Sequence, residues 1–441
     1  MVTRLAARNG GRAGLALLAA ILLLGLGLRL DYAWEGRTPV YDAQAYAEIA
    51  ANLDEGHGFT AGRAATQPSS NYSPGLPLLV AGAYEATGGI HERSARLLLA
   101  LIGSLSVLFT YLIGRRLSGP AAGLIGAVAI AIYPALLEYQ GMLMSEPLAA
   151  ALLSGGVLAL FWAREPRQTD PASGACGVRW VLPGLMLGAL AMVRPEYLGV
   201  AVLLGAMVFG GGLRDGWRVA LARAGILLAG VVLVVAPWTI RNAEALGRFV
   251  PISTGGGQVL FAGTYLPSDG NPEKVGEEVV ARHPGIFDPA DVHRLRLEQI
   301  LARLAAQRHP QLESDQALSK MGKEQLWDDI SAEPVEYAGF VAAKIGRIWS
   351  HGPRAVMREP LWEALHWALV AFGLLGLGLL AWRRRWEALV LVTIFLSITA
   401  LSALLVASPR RVLVMLPLVA ALAGVGAVLT GSWLRDRRSR P

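Results

Sequence analysis

Ten long apolar runs are the feature that most constrains the fold of this chain. A helix of about 20 apolar residues crosses the hydrocarbon core of a bilayer. With 54% hydrophobic and 17% charged residues among 441, the chain is not an ordinary soluble domain. The sequence therefore predicts an all-α polytopic membrane protein with about ten transmembrane helices, at residues 13–30, 94–114, 120–137, 143–162, 180–194, 196–213, 224–240, 362–382, 387–407 and 411–431.

Arginines between the runs indicate the orientation, because positive residues favour the cytoplasmic side of a membrane. Arg4, Arg8 and Arg12 predict a cytoplasmic N-terminus. Alternating the spans then places further arginines in inner loops or in the C-terminal tail: Arg115, Arg116, Arg164, Arg167, Arg179, Arg214, Arg218, Arg223, Arg383, Arg384, Arg385, Arg435, Arg437, Arg438 and Arg440. Topology thus explains the net charge of +7, and no nucleic-acid partner is expected. We expect a multi-pass protein of the plasma or inner membrane.

Alternation of the spans also divides the chain into three parts. Residues 1–240 form a transmembrane module whose first outer loop is 31–93, residues 241–361 form a small mixed outer domain, and residues 362–441 form C-terminal transmembrane helices. A cleaved signal peptide is the less favoured interpretation of the first run, since no clear cleavage site follows it. Helical apolar spacing recurs at 290–304 and 334–349, where a helix could pack in a core or lie on the membrane surface.

The first outer loop begins with a short helix-periodic stretch. Spacings of four and three residues place Asp42, Tyr46 and Ile49 on one face of this helix. A later apolar segment that ends at Gly88-Gly89 is too short to span comfortably. We therefore expect two juxtamembrane helices in this loop.

Several arginines break the positive-inside pattern at the outer boundary. Arg194, Arg241 and the pair Arg410-Arg411 are predicted there, at the same depth as Asp42, Glu138, Glu146 and Glu196. Charges near a helix end in the membrane are costly without a partner. The partner could be a lipid headgroup, a local carboxylate, or a phosphate held at the membrane face.

One carboxylate together with several arginines suits group transfer from a membrane-anchored phosphate carrier. A leaving phosphate needs no proton if guanidinium groups hold its developing charge. An attacking hydroxyl needs one carboxylate to remove its proton. Attack on a sugar from the side opposite the phosphate would invert the anomeric carbon.

The chain resembles the GT-C glycosyltransferases, of the type of protein O-mannosyltransferases and lipid A aminoarabinose transferase, and especially the bacterial RgtA/B/C/D-like branch of family 39. The resemblance rests on motifs that follow the family's order along nearly the whole chain: Asp42-Ala43-Gln44-Ala45-Tyr46, Gly56-His57-Gly58-Phe59, Tyr72-Ser73-Pro74-Gly75-Leu76-Pro77, Ser145-Glu146-Pro147, Arg194-Pro195-Glu196, Pro237-Trp238-Thr239-Ile240-Arg241-Asn242, Ser253-Thr254-Gly255-Gly256-Gly257 and Arg410-Arg411.

This resemblance implies a polyprenyl-phosphate-sugar donor, a glycan, lipid or protein acceptor on the outer face, and inversion. Asp42 would be the catalytic base and Glu146 a second acid. The carrier phosphate would be held by Arg194, Arg241, Arg410 and Arg411. The remaining expected substrate-binding residues are Tyr46, His57, Tyr72, Glu138, Glu196, Gly256 and Gly257.

Two departures from the family pattern matter. Many relatives have an acidic pair where this chain has Asp42-Ala43, and an Arg-Tyr-Arg motif where it has Pro409-Arg410-Arg411-Val412. The second departure leaves open which of the two arginines faces the phosphate.

No cofactor or metal site is evident in the sequence. The single cysteine, Cys176, excludes an intramolecular disulfide and a multi-cysteine metal site. Some relatives have been linked to divalent metals, so a metal stays open.

Two other functions stay open beside transfer. A transporter or flippase of lipid-linked sugar would place ionisable residues near the bilayer midplane. A non-catalytic scaffold is the third interpretation.

Overall fold

The computed structural model describes residues 2–37, 39, 42–165, 175–269, 271, 274–350 and 352–438. Outside the described residues lie Tyr41 and two of the arginines that were expected on the cytoplasmic side, Arg167 and Arg440. The described chain is helical, and an isolated bridge between Thr60 and Pro68 is its single β pairing.

The described residues form twenty α-helices, α1 to α20 in chain order. They are α1 Val2–Glu35, α2 Asp42–Asp54, α3 Gly75–Thr87, α4 Glu92–Ser118, α5 Pro120–Ile132, α6 Pro134–Gly141, α7 Ser145–Ala163, α8 Ala175–Val178, α9 Val181–Val193, α10 Tyr197–Gly212, α11 Trp217–Leu246, α12 Gly256–Thr264, α13 Val275–Arg282, α14 Asp291–Arg294, α15 Leu297–Arg308, α16 Ser314–Ala332, α17 Pro334–Ser350, α18 Pro360–Trp382, α19 Trp386–Leu404 and α20 Arg410–Arg438.

Each of the ten apolar runs corresponds to helical structure, and the protein is a multi-pass membrane protein. Within the described ranges, however, eight helices are long and apolar enough to cross a membrane, or nine if the bent pair α5–α6 counts as one span. The expectation of about ten spans is therefore slightly too high. The missing span is α9, which has only 13 residues.

Prolines explain both the bend between α5 and α6 and the short length of α9. The proline ring disfavours helical geometry in the residue before it. Tyr133, which precedes Pro134, is extended with φ −67° and ψ 113°, and α5 and α6 meet there at a bend of 47°. Arg194, which precedes Pro195, is extended with φ −140° and ψ 94°, and α9 ends at that point.

The chain forms two compact units. The first comprises residues 1–252, 354–395 and 412–441, and the second comprises 253–353 and 396–411. In the first unit, a buried cluster joins residues of α1, α2, α4, α5, α6 and α20, including Ala43, Tyr133, Met144 and Leu416. Small residues let α5 and α20 approach closely, since a Cβ on Gly424 would lie 2.0 Å from the Ala122 carbonyl oxygen.

The described part of the second unit is helical, so the expected mixed outer domain is wrong in its secondary structure. The physical reason is the three- and four-residue apolar spacing of this region, which suits helices and not strands. Its core contains Phe261, Val279, Leu301, Leu304 and Leu318. The run at 334–349 is α17, and its buried residues, Tyr337, Phe340, Lys344 and Ile348, face this unit's interior. Core packing thus accounts for the spacing.

Candidate functional site

Asp42 lies in the first turn of α2 and is half-buried. The N-terminus of a helix favours a negative charge because its first backbone N–H groups have no partner within the helix. Ile49 is fully buried, and the ring of Tyr46 meets that of Tyr72 edge to face at 5.8 Å. Ile49 therefore packs in the interior, and Tyr46, an expected substrate-binding residue, contacts Tyr72 of the first loop.

The loop that follows α2 is held by Asn52. Its buried side-chain amide donates to the Thr60 hydroxyl at 2.8 Å and to the Gly62 carbonyl at 2.7 Å, and its oxygen accepts from the Ala64 N–H at 3.0 Å. One side chain thus fixes the turn at 60–64.

Arg241 holds the same loop from α11. Its guanidinium donates to the carbonyl oxygens of Ser69 at 2.9 Å and Phe59 at 3.0 Å. The guanidinium also lies over the rings of Phe59 and Trp238, at 5.6 and 5.0 Å from their centroids. Because Arg241 engages the backbone on both sides of this loop, it positions the loop on α11.

Glu146 lies in the first turn of α7 and is fully buried. Met144 is extended with φ −91° and ψ 153°, and α7 starts after it. Pro147 can occupy the first turn because the N–H groups there lack intrahelical partners in any case. The preceding Leu143 is buried with a φ of 53°, a conformation that is strained for a residue with a side chain.

The partner of Glu146 is Arg194, whose Nη2 lies 2.7 Å from Glu146 Oε1. The same guanidinium lies 3.7 Å from the Glu196 carboxylate. The sequence left open a lipid headgroup, a local carboxylate or a phosphate as the partner of Arg194. In the structure Arg194 contacts local carboxylates, those of Glu146 and Glu196. The pair of Arg194 and Glu146 joins the end of α9 to the beginning of α7.

Gly75 brings the first loop against the end of α9. A Cβ at this position would lie 2.6 Å from Val193 Cγ2 and 2.9 Å from the Met192 carbonyl carbon. Since Tyr72 stands three residues before Gly75 and touches Tyr46, the loop connects α2 with the segment that carries Arg194.

Ala43 extends this connection to α7. It belongs to one buried cluster with Tyr139, Met142 and Met144, which lie just before Glu146. Within the first unit, Asp42, Tyr46, Tyr72, Glu146, Arg194 and Glu196 therefore lie on elements that meet at one end of the bundle.

Glu138 is engaged elsewhere in the same unit. Its carboxylate accepts a hydrogen bond from Arg354 Nε, and Arg37 Nη1 lies 4.0 Å away. Arg354 was not identified from the sequence as a site residue, because it lies 216 positions from Glu138.

His57 lies at the exposed rim of the first loop. Its Nδ1 is 3.6 Å from Glu55, whose carboxylate forms a bidentate pair with Arg63. The hydrogen bond from Arg63 lowers the pKa of the Glu55 carboxyl group.

The remaining sequence-predicted residues belong to the second unit. Arg410 and Arg411 begin α20, and Arg411 Nη1 donates to the Ser402 hydroxyl at 3.1 Å. Gly256 and Gly257 begin α12, and the Gly257 N–H donates to the Asp315 carboxylate at 2.9 Å. A Cβ on Gly257 would lie 1.9 Å from the Asp315 carbonyl oxygen, so glycine lets α16 approach at this point.

In the part of the chain that the structure describes, no group of three or more His, Cys, Asp or Glu side chains could hold a metal ion.

Sequence reasoning missed Asn52, Gly75 and Arg354 as residues that position the candidate site. For Gly75 a signal was present, since it stands in the motif Tyr72–Pro77. Asn52 and Arg354 carry no such signal, because only the fold reveals their partners.

The architecture is similar to that of the archaeal oligosaccharyltransferase AglB from Archaeoglobus fulgidus. A structure of that protein in complex with an inhibitory peptide and a dolichol-phosphate aligns with 97% of this chain at a TM-score of 0.57 and 15% identity. Its apo form aligns with 97% of the chain at a TM-score of 0.58 and 16% identity. This chain spans about half the length of these structures, 51% in both cases.

The lipid A aminoarabinose transferase ArnT from Cupriavidus metallidurans, bound to undecaprenyl phosphate, aligns with 94% of this chain and 77% of its own at a TM-score of 0.41 and 15% identity. No protein-family model and no curated protein matches the chain. The likeness to AglB confirms the expected GT-C fold.

Proposed function

We propose that this chain is a membrane glycosyltransferase that moves a sugar from a polyprenyl-phosphate carrier to an acceptor hydroxyl or amide. The observation that carries the proposal is the placement of two carboxylates, Asp42 and the buried Glu146, in first helical turns at one end of a GT-C bundle. AglB, whose fold the chain shares, is an oligosaccharyltransferase, and one of its structures contains a dolichol-phosphate.

Asp42 is the general base of the proposed reaction. It is half-buried, so a substrate could reach it, whereas Glu146 is fully buried. Asp42 would remove the acceptor proton as the acceptor attacks the anomeric carbon, and the carrier phosphate would leave on the opposite side. A positioned base contributes about 10²- to 10⁴-fold to such a step.

Glu146 acts with Arg194 in this scheme. A guanidinium between two carboxylates, Glu146 and Glu196, is a poor place for a phosphate dianion, because the local acids outnumber the local cation. We therefore assign Arg194 to positioning Glu146, the second acid of the proposed site.

The carrier phosphate is assigned to Arg410 and Arg411. Both begin α20 in a segment without acidic residues in its first turn, and guanidinium groups bind phosphate through two parallel hydrogen bonds. Arg241 is assigned to the first loop, whose carbonyl groups occupy its guanidinium.

The reaction is placed at the outer face of the plasma or inner membrane, on the basis of the arginine-rich loops between the other ends of the spans. The partners are then the bilayer, a polyprenyl-phosphate-linked sugar, and a glycan, lipid or protein acceptor.

The decisive experiment is Asp42→Asn, assayed for sugar transfer from radiolabelled lipid-linked donors in reconstituted vesicles. We expect loss of transfer by about 10²-fold or more, with normal insertion and thermal stability. Asp54→Asn is the matched control, because Asp54 is an exposed acid at the other end of the same helix. Full activity of Asp42→Asn would refute the assignment, and sugar movement across the bilayer without a glycosidic product would favour a flippase.

A further inference from the structure

Lys344, in the second unit, is a fully buried lysine that the proposed reaction does not use. Its Nζ donates to the Gly263 carbonyl oxygen at 2.6 Å and lies 5.0 Å from the centre of the Phe340 ring. Lysine is almost never fully buried without a charged partner, because desolvating an ammonium group is costly. Among the described residues, however, no carboxylate forms an ion pair with Lys344.

The charges that act on Lys344 are of the same sign. Burial and, to a smaller extent, the positive charges of Arg411 and Arg347 together lower its pKa to about 8. Arg347 is bound to Asp269 through the carbonyl oxygen at 2.7 Å and the carboxylate at 3.4 Å. Among the neighbouring elements, α12 carries no ionisable side chain, and Asp328 and Asp329 of α16 are not among the charges that act on Lys344.

The backbone fixes Lys344 relative to the segment that carries Arg411. A Cβ on Gly263 would lie 2.3 Å from the Leu405 carbonyl carbon, so α12 rests directly on the connection between α19 and α20. Lys344 therefore holds α12 where that helix touches the segment leading to Arg411. Arg411 is itself held by the Ser402 hydroxyl, nine residues earlier.

Lys344 is buried and Arg411 is half-buried, so water screens their mutual repulsion only in part, and an anion between them removes it. A phosphate suits this pair, since the guanidinium can bind two of its oxygens and the ammonium acts as a compact charge. We propose that Lys344 and Arg411 are two contacts of one phosphate-binding site in the second unit. Identification of its ligand with the sugar carrier rests on the proposed function.

The site has a consequence for pH dependence. A bound anion favours the charged ammonium, so binding must weaken as pH rises through the pKa of Lys344. If Lys344 only bonded the end of α12, phosphate binding would not weaken in this way as the pH rises.

The test measures binding of farnesyl phosphate and of inorganic phosphate to the full chain in detergent, by calorimetry at pH 7.5 and 9.5. Farnesyl phosphate is already dianionic in this range, because the second pKa of a phosphate monoester is about 6. Inorganic phosphate only becomes more negative as the pH rises, so neither probe loses charge between the two pH values. We expect wild-type affinity for at least one probe to fall by about tenfold or more between the two pH values. Lys344→Arg, which stays charged, should show a fall of less than about twofold, and Lys344→Met should bind weakly at both.

Lys320→Met is the control, because Lys320 is an exposed lysine on α16 and should behave as wild type. Binding that is independent of pH in the wild type, or unchanged in Lys344→Met, overturns the site. Binding of farnesyl phosphate alone identifies a lipid phosphate, whereas binding of both probes identifies the phosphate group itself. Should Lys344→Met fail to fold, Lys344→Arg still decides the question. Asp42→Asn should bind as wild type, so failure of the proposed function is distinguishable from failure of this site.

Discussion

Arg194 Nη2 lies 2.7 Å from the fully buried carboxylate of Glu146 and thereby joins the end of α9 to the beginning of α7. Removing one partner of a buried pair costs about 3–5 kcal/mol, because the other charge is left uncompensated. Arg194→Met should be more destabilising than Glu146→Gln, since Arg194 keeps Glu196 at 3.7 Å whereas Glu146 has no exposure to water. Melting temperatures in detergent measure the difference.

The double variant Glu146→Gln/Arg194→Met completes a double-mutant cycle, which measures the interaction between the two side chains. It should lose less stability than the sum of the two single variants, because the buried carboxylate of Glu146 is removed together with its cation. Glu55→Gln is the control, since its pair with Arg63 is exposed and should change the melting temperature little. Strict additivity would show that Glu146 and Arg194 do not stabilise each other.

Gly75→Ala should separate α3 from α9. The new Cβ would lie 2.9 Å from the Met192 backbone, and such overpacking costs about 1–3 kcal/mol. Because Arg194 follows Val193 directly, we also expect sugar transfer to fall. Gly82→Ala on the same helix is the matched control, since a Cβ there meets nothing within 4 Å and alanine favours a helix. Equal stability and activity of the two variants would contradict the close contact.

Arg241→Lys should loosen the first loop. Lysine cannot donate to the Phe59 and Ser69 carbonyl groups together, and each hydrogen bond from a charged group contributes about 1.5–3 kcal/mol. Hydrogen exchange at residues 59–69 should accelerate, roughly 10- to 100-fold at the Ser69 amide. Arg308→Lys, at an exposed position, should leave this exchange unchanged. Unaltered protection of the loop in Arg241→Lys would show that other contacts hold it.

The sequence predicted the helices of the membrane part well, since each apolar run is helical. It overestimated the number of spans because the length of an apolar run does not reveal where a proline ends the helix, as at Arg194-Pro195 and Tyr133-Pro134. That Asp42 and Glu146 lie at one level stays a prediction from the sequence. The sequence could not assign their partners, because those lie on other helices.

Membrane insertion depends on the apolar length and flanking charge of each segment, which are local properties, so the sequence by itself determined the polytopic class and the helical runs. Only the tertiary structure decided which cation meets which acid. Arg194 pairs with a carboxylate 48 positions away, Arg241 binds carbonyl groups 172 and 182 positions away, and Lys344 is buried among like charges. The physical reason is that the energy of a charged side chain depends on its desolvation and its nearest partners, and packing between distant segments sets both.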